Sequence, residues 1–294
     1  MSPLAHRPFF KMNGIGNSII VLDLRGTDVR VSAGEARAIG RGRHGQHALA
    51  FDQMMVLYDP ETAGTRARMK IFNIDGSLSG ACGNGTRCVA WALMDGTNEQ
   101  SLVVESDAGL LECTRESRWR FTVDMGAPRL GALDIPLRDD VPDTAHVPLP
   151  DPPSGAEKLG PFAAANMGNP HAVFFVARIA DHDLARLGPL IEHHPMFPER
   201  VNVSLAHVAD HDHIDLKVWE RGTGLTLACG SAACATLVSA VRKNLTARRA
   251  TIALPGGELV VEWRESDGHV LMTGDVELEF TGRFDPTLFE PAQA

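Results

Sequence analysis

The apolar positions of this chain fall into short runs, most with the two-residue period of a strand and fewer with the spacing of a helix. Strands are predicted in the first part of the chain at 18–23, 54–58, 68–74, 102–106, 110–114 and 120–124. A second series is predicted at 172–176, 201–208, 214–219, 269–273 and 276–280, with a hairpin turn at 255–257. Short helices are predicted after the candidate N-caps Ser32 and Asp181. This order predicts a mixed α/β chain that is rich in strands.

A cysteine-containing stretch occurs twice, and each copy leads into an apolar run with the length of a buried helix. The first copy, 81–88, has the sequence Ala-Cys-Gly-Asn-Gly-Thr-Arg-Cys, and the second, 228–234, has the sequence Ala-Cys-Gly-Ser-Ala-Ala-Cys. The leading cysteines, Cys82 and Cys229, lie 147 positions apart (229 − 82) in a chain of 294 residues. This spacing indicates two similar halves, each presenting one thiol at the start of a helix.

The start of a helix suits both a reactive thiol and a bound anion. The first backbone N–H groups have no partner inside the helix, and the helix dipole places partial positive charge there. A cysteine at this position is held closer to the thiolate form. The small residues that follow each cysteine leave the N–H groups open to a carboxylate. Each half therefore offers a thiol base beside a binding site for a carboxylate.

Polar residues repeat between the halves in nearly constant register, which favours ligand binding over the turn and capping roles that single asparagines usually have. The offsets are 152 (169 − 17), 149 (202 − 53), 147 (220 − 73) and 147 (229 − 82). The corresponding pairs are Asn17 with Asn169, Gln53 with Asn202, Asn73 with Glu220, and Cys82 with Cys229.

The middle of the chain is rich in proline, with eight prolines between residues 127 and 161. Such a stretch predicts an irregular crossing between two domains. The predicted domains are 1–126 plus 275–294, which carries Cys82, and 127–274, which carries Cys229.

Composition and charge exclude several functional classes. The chain is 44% hydrophobic and 22% charged, as in ordinary globular proteins. Its net charge is −9, and its basic residues form no cluster that would bind nucleic acid or an anionic membrane. No apolar run approaches the roughly 20 residues that span a bilayer, and the first residues lack the apolar core of a secretory signal. Five cysteines, an odd number, argue against a disulfide framework and predict a reducing, cytoplasmic location.

Two opposed thiols suit the inversion of an amino-acid α-carbon. Inversion removes a weakly acidic proton from one face and returns a proton to the other, which requires two proton carriers and stabilisation of the carbanion between them. No lysine lies in a motif typical of a pyridoxal Schiff base, and no set of metal ligands is apparent. We therefore expect neither a cofactor nor a metal.

These motifs together resemble the diaminopimelate epimerase family. The resemblance extends from Met12-Asn13-Gly14-Ile15-Gly16-Asn17 to Met272-Thr273-Gly274 and includes Cys-Gly-Asn-Gly-x-Arg-Cys and Glu-Arg-Gly-x-Gly before Ala-Cys-Gly-Ser. It implies an α/β (α+β) fold of two pseudo-symmetric domains, each a curled mixed sheet around a central helix, with the active site in the cleft between them. It also implies cofactor-independent conversion of LL-diaminopimelate to meso-diaminopimelate, in lysine and peptidoglycan precursor synthesis, by a soluble homodimer.

The resemblance also implies a role for each matching residue. Cys82 and Cys229 are the expected acid/base pair, and His171 and Glu220 are expected to orient the thiols and tune their pKa. The expected substrate-binding residues are Asn17, Gln53, Asn73, Gly83, Asn84, Asn169, Asn202, Glu220, Arg221, Gly230 and Ser231. The chain departs from the commonest family pattern at Asn13, Ser18, Leu225 and 47–51, and none of these positions carries a matched catalytic group.

Two other functions compete with this interpretation. A racemase of the same fold could act on a different amino acid, although Arg221 with Asn73 and Asn202 favours a second, distal carboxylate. A thiol redox or metal-binding protein would use Cys-x-x-Cys pairs, which the sequence lacks. Cys88, Cys113 and Cys234 are expected in the core, and the histidines at 207, 211 and 213 in a solvated loop.

Overall fold

The structure is a computed structural model in which residues 2–41 and 49–290 are described. In chain order the first elements are β1 (Pro8–Asn13), β2 (Ser18–Asp23), α1 (Ala33–Arg41), β3 (Gln53–Tyr58), β4 (Arg68–Asn73), β5 (Leu78–Ser79), α2 (Gly83–Met94), β6 (Ser101–Ser106), β7 (Gly109–Ser117) and β8 (Arg120–Asp124). The remaining elements are β9 (Ala163–Asn166), β10 (Pro170–Phe175), α3 (Leu184–Glu192), β11 (Asn202–Asp210), β12 (His213–Glu220), β13 (Gly224–Thr226), α4 (Gly230–Arg242), β14 (Arg249–Leu254), β15 (Gly257–Trp263), β16 (Val270–Asp275) and β17 (Glu277–Arg283). Short 3₁₀ helices lie at Ile179–Asp181 and Pro286–Phe289.

The chain forms two compact units. Unit 1 comprises Met1–Val123 and Gly274–Ala294, and unit 2 comprises Asp124–Thr273. The predicted division was at 126/127 and 274/275.

The sheet of unit 1 is mixed and open. Strand β2 pairs in parallel with β3, and β3 pairs antiparallel with β4. Strand β4 then pairs antiparallel with the short β5 and in parallel with β6, from which β7 and β8 continue as antiparallel neighbours. Strand β1 lies antiparallel to β2, and β17 returns from the end of the chain to pair with β1.

Unit 2 repeats this order strand for strand. Strand β9 pairs with β10, β10 in parallel with β11, and β11 antiparallel with β12. Strand β12 then pairs with the short β13 and in parallel with β14, which is followed by β15 and β16. The two halves inferred from the cysteine spacing therefore share one topology, in which α2 and α4 occupy the same position.

A buried helix lies against each sheet. All of α2 except Ala92 is buried, and most of α4 is buried, because most residues of both helices are apolar or small. Helix α2 contacts β1, β2 and β3 from one part of its sheet and β7 from the other, so the sheet curves around the helix. Helix α4 contacts β9, β10, β11, β14 and β15 in the same way. The predicted curled mixed sheet around a central helix is confirmed within each unit.

The opposite face of each sheet carries a shorter amphipathic helix. Helix α1 packs Ala36 and Ile39 onto Ile20 and Val56, and its N-terminus is closed by a capping box between Ser32 and Glu35. Helix α3 packs Leu187 and Ile191 onto Phe174 and Val203. The predicted cap at Asp181 is wrong: Asp181 ends a 3₁₀ turn, and Asp183 accepts the N–H of Arg186 at the start of α3.

The proline-rich segment is an integral part of unit 2. Its apolar side chains, including Ile135, Leu137, Val147 and Leu159, are buried in the core beneath α3. Prolines remove backbone donors and fix the main chain, so the segment is irregular, yet its apolar residues still bury their side chains. The interpretation of this stretch as only a crossing between domains is therefore corrected.

None of the helices in the described part of the chain combines the length and apolar character that crossing a membrane requires.

Candidate active site

The strand pattern gathers the predicted polar residues at one end of each sheet. In unit 1, Asn17 precedes β2, Gln53 begins the parallel β3, and Asn73 ends the antiparallel β4. The starts of two parallel strands and the end of an antiparallel neighbour lie at the same end of the sheet. In unit 2, Asn169, Asn202 and Glu220 hold the same three positions around β10, β11 and β12. The register inferred from the sequence therefore arises because these residues lie at the same end of each sheet.

Cys82 lies at the N-cap of α2 with an extended backbone. Its Sγ accepts the backbone N–H of Gly85 at 3.2 Å and donates to Asn17 Oδ1 at 3.8 Å. A backbone N–H aimed at sulfur, together with the helix dipole, stabilises negative charge on that sulfur. The Gly85 N–H therefore favours a thiolate at Cys82, whereas the contact with Asn17 Oδ1 is one that only the thiol form makes.

The polar side chains at this end of the sheet are hydrogen-bonded in two pairs. Asn17 Nδ2 donates to Asp52 Oδ2 at 3.0 Å, and Asp52 also accepts the backbone N–H of Ser18 at 2.7 Å. Gln53 Nε2 donates to Asn73 Oδ1 at 3.3 Å across the β3–β4 pair. We call Asn17, Gln53, Asn73, Cys82 and Asn84 the first thiol cluster. Asp52, which positions Asn17, was not recognised from the sequence.

Two glycines near the first thiol cluster are closely packed. A Cβ at Gly85 would lie 2.5 Å from Met55 Sδ, and a Cβ at Gly14 would lie 3.2 Å from the Asn84 carbonyl oxygen. The absence of a side chain at Gly85 therefore lets the first turn of α2 pack against Met55 of β3 without displacing it. Gly83 and Asn84 supply the first two backbone N–H groups of α2, and both residues are buried.

Cys229 lies at the N-cap of α4, in the same position as Cys82 on α2, but its surroundings differ. Its Sγ lies 3.5 Å from Ser231 Oγ, and only 6% of the residue is exposed. Burial, and then the nearby charge of Glu220, raise the pKa of the Cys229 thiol well above its usual range. Glu220 accepts a 2.5 Å hydrogen bond from Thr226 Oγ1, which fixes its carboxylate. The geometry of Cys229 therefore suits a neutral thiol.

Arg221 follows Glu220 and is bonded at both its backbone and its side chain. Its N–H donates to Asn202 Oδ1 at 2.9 Å, and its Nη1 donates to the Glu199 carbonyl oxygen at 2.9 Å. Asn202 is buried, and its own amide donates to the Pro170 carbonyl oxygen at 2.9 Å. Asn202 therefore sets the backbone of Arg221. We call Asn169, His171, Asn202, Glu220, Arg221, Cys229 and Ser231 the second thiol cluster.

His171 is fully buried on β10, beside Asn202 on the neighbouring β11. Its Nε2 lies 2.8 Å from Asn169 Oδ1, an acceptor, so Nε2 carries the proton and Nδ1 is a buried acceptor. Nδ1 has no hydrogen-bond partner among the described residues. Burial, assisted by the charge of Arg221, lowers the pKa of His171 to about 3. His171 is therefore neutral at physiological pH.

This lowered pKa predicts acid sensitivity. The unfolded chain takes up the His171 proton below its ordinary pKa of about 6.5, whereas the folded chain does so only near 3. The stability due to neutral His171 is thus complete above that ordinary pKa and is lost as the pH falls towards the folded value. The free energy of unfolding should fall by up to about 1.4 kcal/mol per pH unit in this window. Urea unfolding of His171→Asn should show a flatter acid limb; an unchanged slope would contradict the assignment.

The remaining cysteines are core residues. Cys88, Cys113 and Cys234 are fully buried, and burial raises the pKa of Cys88 and of Cys113 to about 12. All five cysteines are thiols rather than disulfides. The prediction that these three pack in the core is confirmed.

The other positions singled out in the sequence have ordinary surroundings. Asn13 Oδ1 accepts the Gly16 N–H at 2.7 Å, Ser18 Oγ donates to the Ala50 carbonyl oxygen at 3.2 Å, and Leu225 is exposed on β13. Residues 47 and 48 lie outside the described part of the chain. The predicted solvated loop of histidines is only the turn at 211–212, since 207 and 213 lie on paired strands. Among the described residues no group of three histidine, cysteine or acidic side chains could hold a metal ion.

Comparison with known proteins gives a consistent result. The family model described as diaminopimelate epimerase matches residues 9–131 and 163–279. A diaminopimelate epimerase of Methylocella silvestris is 55% identical over 294 residues, covering 100% of both chains. Another, of Methylobacterium sp. (strain 4-46), is 56% identical over 297 residues, covering 99% of this chain and 100% of the relative.

Solved structures of low sequence identity share the fold. The PhzF-family phenazine biosynthesis protein of Bacillus anthracis aligns with a TM-score of 0.66 and 16% identity, covering 95% of this chain and 98% of the other. A hydroxyproline epimerase of Agrobacterium vitis aligns with a TM-score of 0.64 and 15% identity, covering 98% and 95%. At this identity the likeness shows the fold alone.

Proposed function

Because this chain belongs to the diaminopimelate epimerase family, we propose that it inverts one α-carbon of LL-diaminopimelate to give meso-diaminopimelate, with Cys82 and Cys229 as the two proton carriers. This is an isomerase reaction, and the product serves lysine and peptidoglycan precursor synthesis. One observation carries the proposal: each unit begins its central helix at a cysteine, beside polar residues at the same three strand ends. Neither a cofactor nor a metal is part of the proposed reaction.

The proposed reaction removes one proton from the α-carbon and adds another proton to the opposite face of that carbon. The Cys82 thiolate removes the α-proton from one face, and the electron pair of the broken C–H bond spreads into the adjacent carboxylate as an enediolate. The Cys229 thiol then gives its proton to the opposite face of the same carbon. Afterwards Cys82 is the thiol and Cys229 the thiolate, so the reverse reaction uses the same groups with their roles exchanged.

The helix starts would stabilise the negative charge that develops on the carboxylate. Backbone N–H groups at Gly83 and Asn84, and at Gly230 and Ser231, point along their helix axes with the positive end of the dipole. Donors fixed in advance at these positions would bind an enediolate more strongly than a carboxylate and so lower the barrier. Arg221, already bonded to the Glu199 carbonyl oxygen, would use its other N–H groups to hold the distal carboxylate.

The different surroundings of the two thiols support an assignment of their resting states. We propose that Cys82 is the thiolate and Cys229 the thiol in the free enzyme, since Gly85 donates to Cys82 whereas Glu220 disfavours charge on Cys229. Iodoacetamide near neutral pH should therefore label Cys82 before Cys229, as peptide mass spectrometry would record.

Glu220→Gln provides the matched test of this assignment. Removing the carboxylate charge should lower the pKa of Cys229, so that its alkylation begins at a lower pH than in the unaltered protein. Cys88, which is buried with a pKa near 12, should stay unlabelled in both proteins and reports any unfolding. An unchanged alkylation profile for Cys229 in Glu220→Gln would refute the assignment.

The decisive experiment for the function follows solvent deuterium. Purified protein in heavy water should place deuterium at the α-carbon of the inverted product, with little in recovered LL-diaminopimelate at early times, because the acid that delivers the proton is not the base that removed it. The same assay distinguishes this function from the nearest alternative, racemisation of a different amino acid. Turnover of histidine or proline without turnover of diaminopimelate would favour a racemase of the same fold.

We also propose a location and an assembly. Acid/base work by thiols requires that they stay reduced, and all five cysteines are thiols, which supports a cytoplasmic location. The family resemblance supports a homodimer of this 31.7 kDa chain, with no nucleic-acid or membrane partner. Sedimentation at the mass of a single chain across micromolar concentrations would exclude the homodimer.

A further inference from the structure

A buried carboxylate lies beneath the turn that carries Glu220 and Arg221. Glu192, the last residue of α3, is 2% exposed. Its Oε2 accepts the indole N–H of Trp219 at 2.8 Å, and its Oε1 accepts the backbone N–H of Gly222 at 2.9 Å. These two donors immediately precede and follow Glu220 and Arg221 in the chain. Glu192 therefore holds the turn on both sides of two proposed site residues.

The same face of α3 fixes the ring of Trp219 a second time. Gly188 lies four residues, or one helical turn, before Glu192, and a Cβ at this position would lie 2.4 Å from Trp219 Cγ. The indole can therefore lie flat against the helix only because residue 188 is glycine. Packing at Gly188 and the hydrogen bond to Glu192 together give Trp219 a single orientation at the end of β12.

The turn after Glu220 is closed through its backbone like its counterpart in unit 1, since the Thr223 N–H donates to the Glu220 carbonyl oxygen at 3.0 Å, but it lacks the side-chain carboxylate of that counterpart. There, Asp75 accepts both the backbone N–H and the Oγ–H of Ser77, at 2.9 and 2.6 Å, and closes the turn after Asn73 locally. At the offset of 147 (220 − 73), Gly222 stands where Asp75 stands in unit 1. Gly222 has a positive φ of 75° and no side chain to accept a hydrogen bond. Glu192 supplies the missing carboxylate from a neighbouring helix.

The charge of Glu192 is only partly compensated. Arg200 Nη1 lies 3.5 Å from Glu192 Oε1, and the Arg200 side chain is half exposed. The carboxylate therefore depends on the indole and backbone N–H groups for most of its stabilisation. Charged acceptors bind N–H donors more strongly than neutral ones, and a buried donor left unpaired is unfavourable. The turn is consequently bound more firmly by a carboxylate than it would be by an amide.

We propose that Glu192 is a positioning residue for the proposed epimerisation, acting through the turn rather than on the substrate. It keeps Glu220 beside Cys229 and keeps the Arg221 guanidinium where it can meet a distal carboxylate. The inference rests on the proposed function for its catalytic consequence, but the hydrogen bonds themselves can be tested without activity. It assigns the role to a residue on the outer helix, outside both thiol clusters.

Glu192→Gln is the informative variant because it keeps the size of the side chain. A glutamine has one acceptor oxygen, so its NH₂ group must face either the indole N–H or the Gly222 N–H. The kcat/KM for LL-diaminopimelate should fall roughly tenfold, mostly through a higher KM, since a displaced Arg221 weakens binding. Glu192→Asp, which keeps the charge but is one methylene shorter, should recover part of this loss.

Glu105→Gln is the matched control. Glu105 is also a buried carboxylate that anchors a loop, accepting the N–H groups of Glu61 and Thr62 and the hydroxyl of Thr65. Among the described residues, its hydrogen bonds reach no member of either thiol cluster. A similar loss of thermal stability is expected in both glutamine variants, but KM should change only in Glu192→Gln. Equal effects on KM in the two variants would show a merely structural role and overturn the proposal.

A second measurement is independent of activity. The chain has four tryptophans, so the indole N–H resonance of Trp219 can be assigned by its loss in Trp219→Phe. In Glu192→Gln this resonance should shift, and amide exchange across 219–224 should accelerate. Unchanged exchange would overturn the proposal whether or not the protein is active. If the unaltered protein fails to epimerise diaminopimelate, the proposed function falls, while exchange still decides whether Glu192 holds the turn.

Discussion

Replacing either Cys82 or Cys229 by alanine should abolish epimerisation in both directions. Each inversion uses one cysteine as base and the other as acid, so neither direction can proceed with a single thiol. General acid–base catalysis contributes about 10²–10⁴-fold for each group, and the loss of kcat should lie at or beyond the upper part of this range. Measuring the forward and reverse rates with LL- and meso-diaminopimelate checks the prediction.

The alanine variants should remain folded. Each cysteine is at a helix N-cap, where changing a thiol to a methyl costs about 1–3 kcal/mol at most. Cys88→Ala is the control: its thiol is in the core of α2 and takes no part in the chemistry, so its loss should affect stability only. A Cys82→Ala or Cys229→Ala protein that racemises at a near-normal rate would show that one base serves both faces.

Arg221→Lys should lower kcat/KM for diaminopimelate by roughly ten- to a hundredfold while leaving the fold intact. The guanidinium can hold a carboxylate by two parallel N–H groups while another N–H remains on the Glu199 carbonyl oxygen. A lysine ammonium cannot reproduce that planar arrangement. Losing one charge-assisted hydrogen bond of about 1.5–3 kcal/mol gives the expected range.

Arg249→Lys is the matched control for Arg221→Lys. Arg249 is also in unit 2, where it forms an exposed ion pair with Glu262 on the neighbouring strand. Its replacement should change neither kcat/KM nor stability appreciably, because exposed ion pairs contribute little. If Arg221→Lys retains the full kcat/KM, Arg221 does not bind the distal carboxylate and the preference for a dicarboxylic substrate needs another source.

Regular secondary structure was predicted well where the signal is local. Strand β2 begins and ends where its apolar run predicted, and β4 and β8 differ by at most one residue at either end. The two-residue β5 and three-residue β13 were missed because two or three residues are too few to show the alternation of apolar and polar positions that marks a strand. The N-cap of α3 was misplaced because Asp181 and Asp183 are equivalent in sequence, and only the 3₁₀ turn distinguishes them.

The members of each thiol cluster were all predicted from the sequence. Repetition supplied the signal, since a turn asparagine has no reason to recur in register with a second asparagine and a cysteine. The shared strand topology gives the physical basis, because Asn17, Gln53 and Asn73 reach one edge of their sheet only through the parallel and antiparallel pairing of β2, β3 and β4.

The sequence by itself determined the two-fold repetition, the cysteine at the start of each central helix and the family of the chain, because periodicity, capping and motif spacing are properties of neighbouring residues. Only the tertiary structure decided the difference between the two thiols, since it places Glu220 beside Cys229 and the Gly85 N–H on Cys82. It also decided that Glu192 forms hydrogen bonds with Trp219 and Gly222, which lie 27 and 30 positions away in the chain. A buried carboxylate takes whichever donors packing brings to it, and that choice leaves no pattern along the chain.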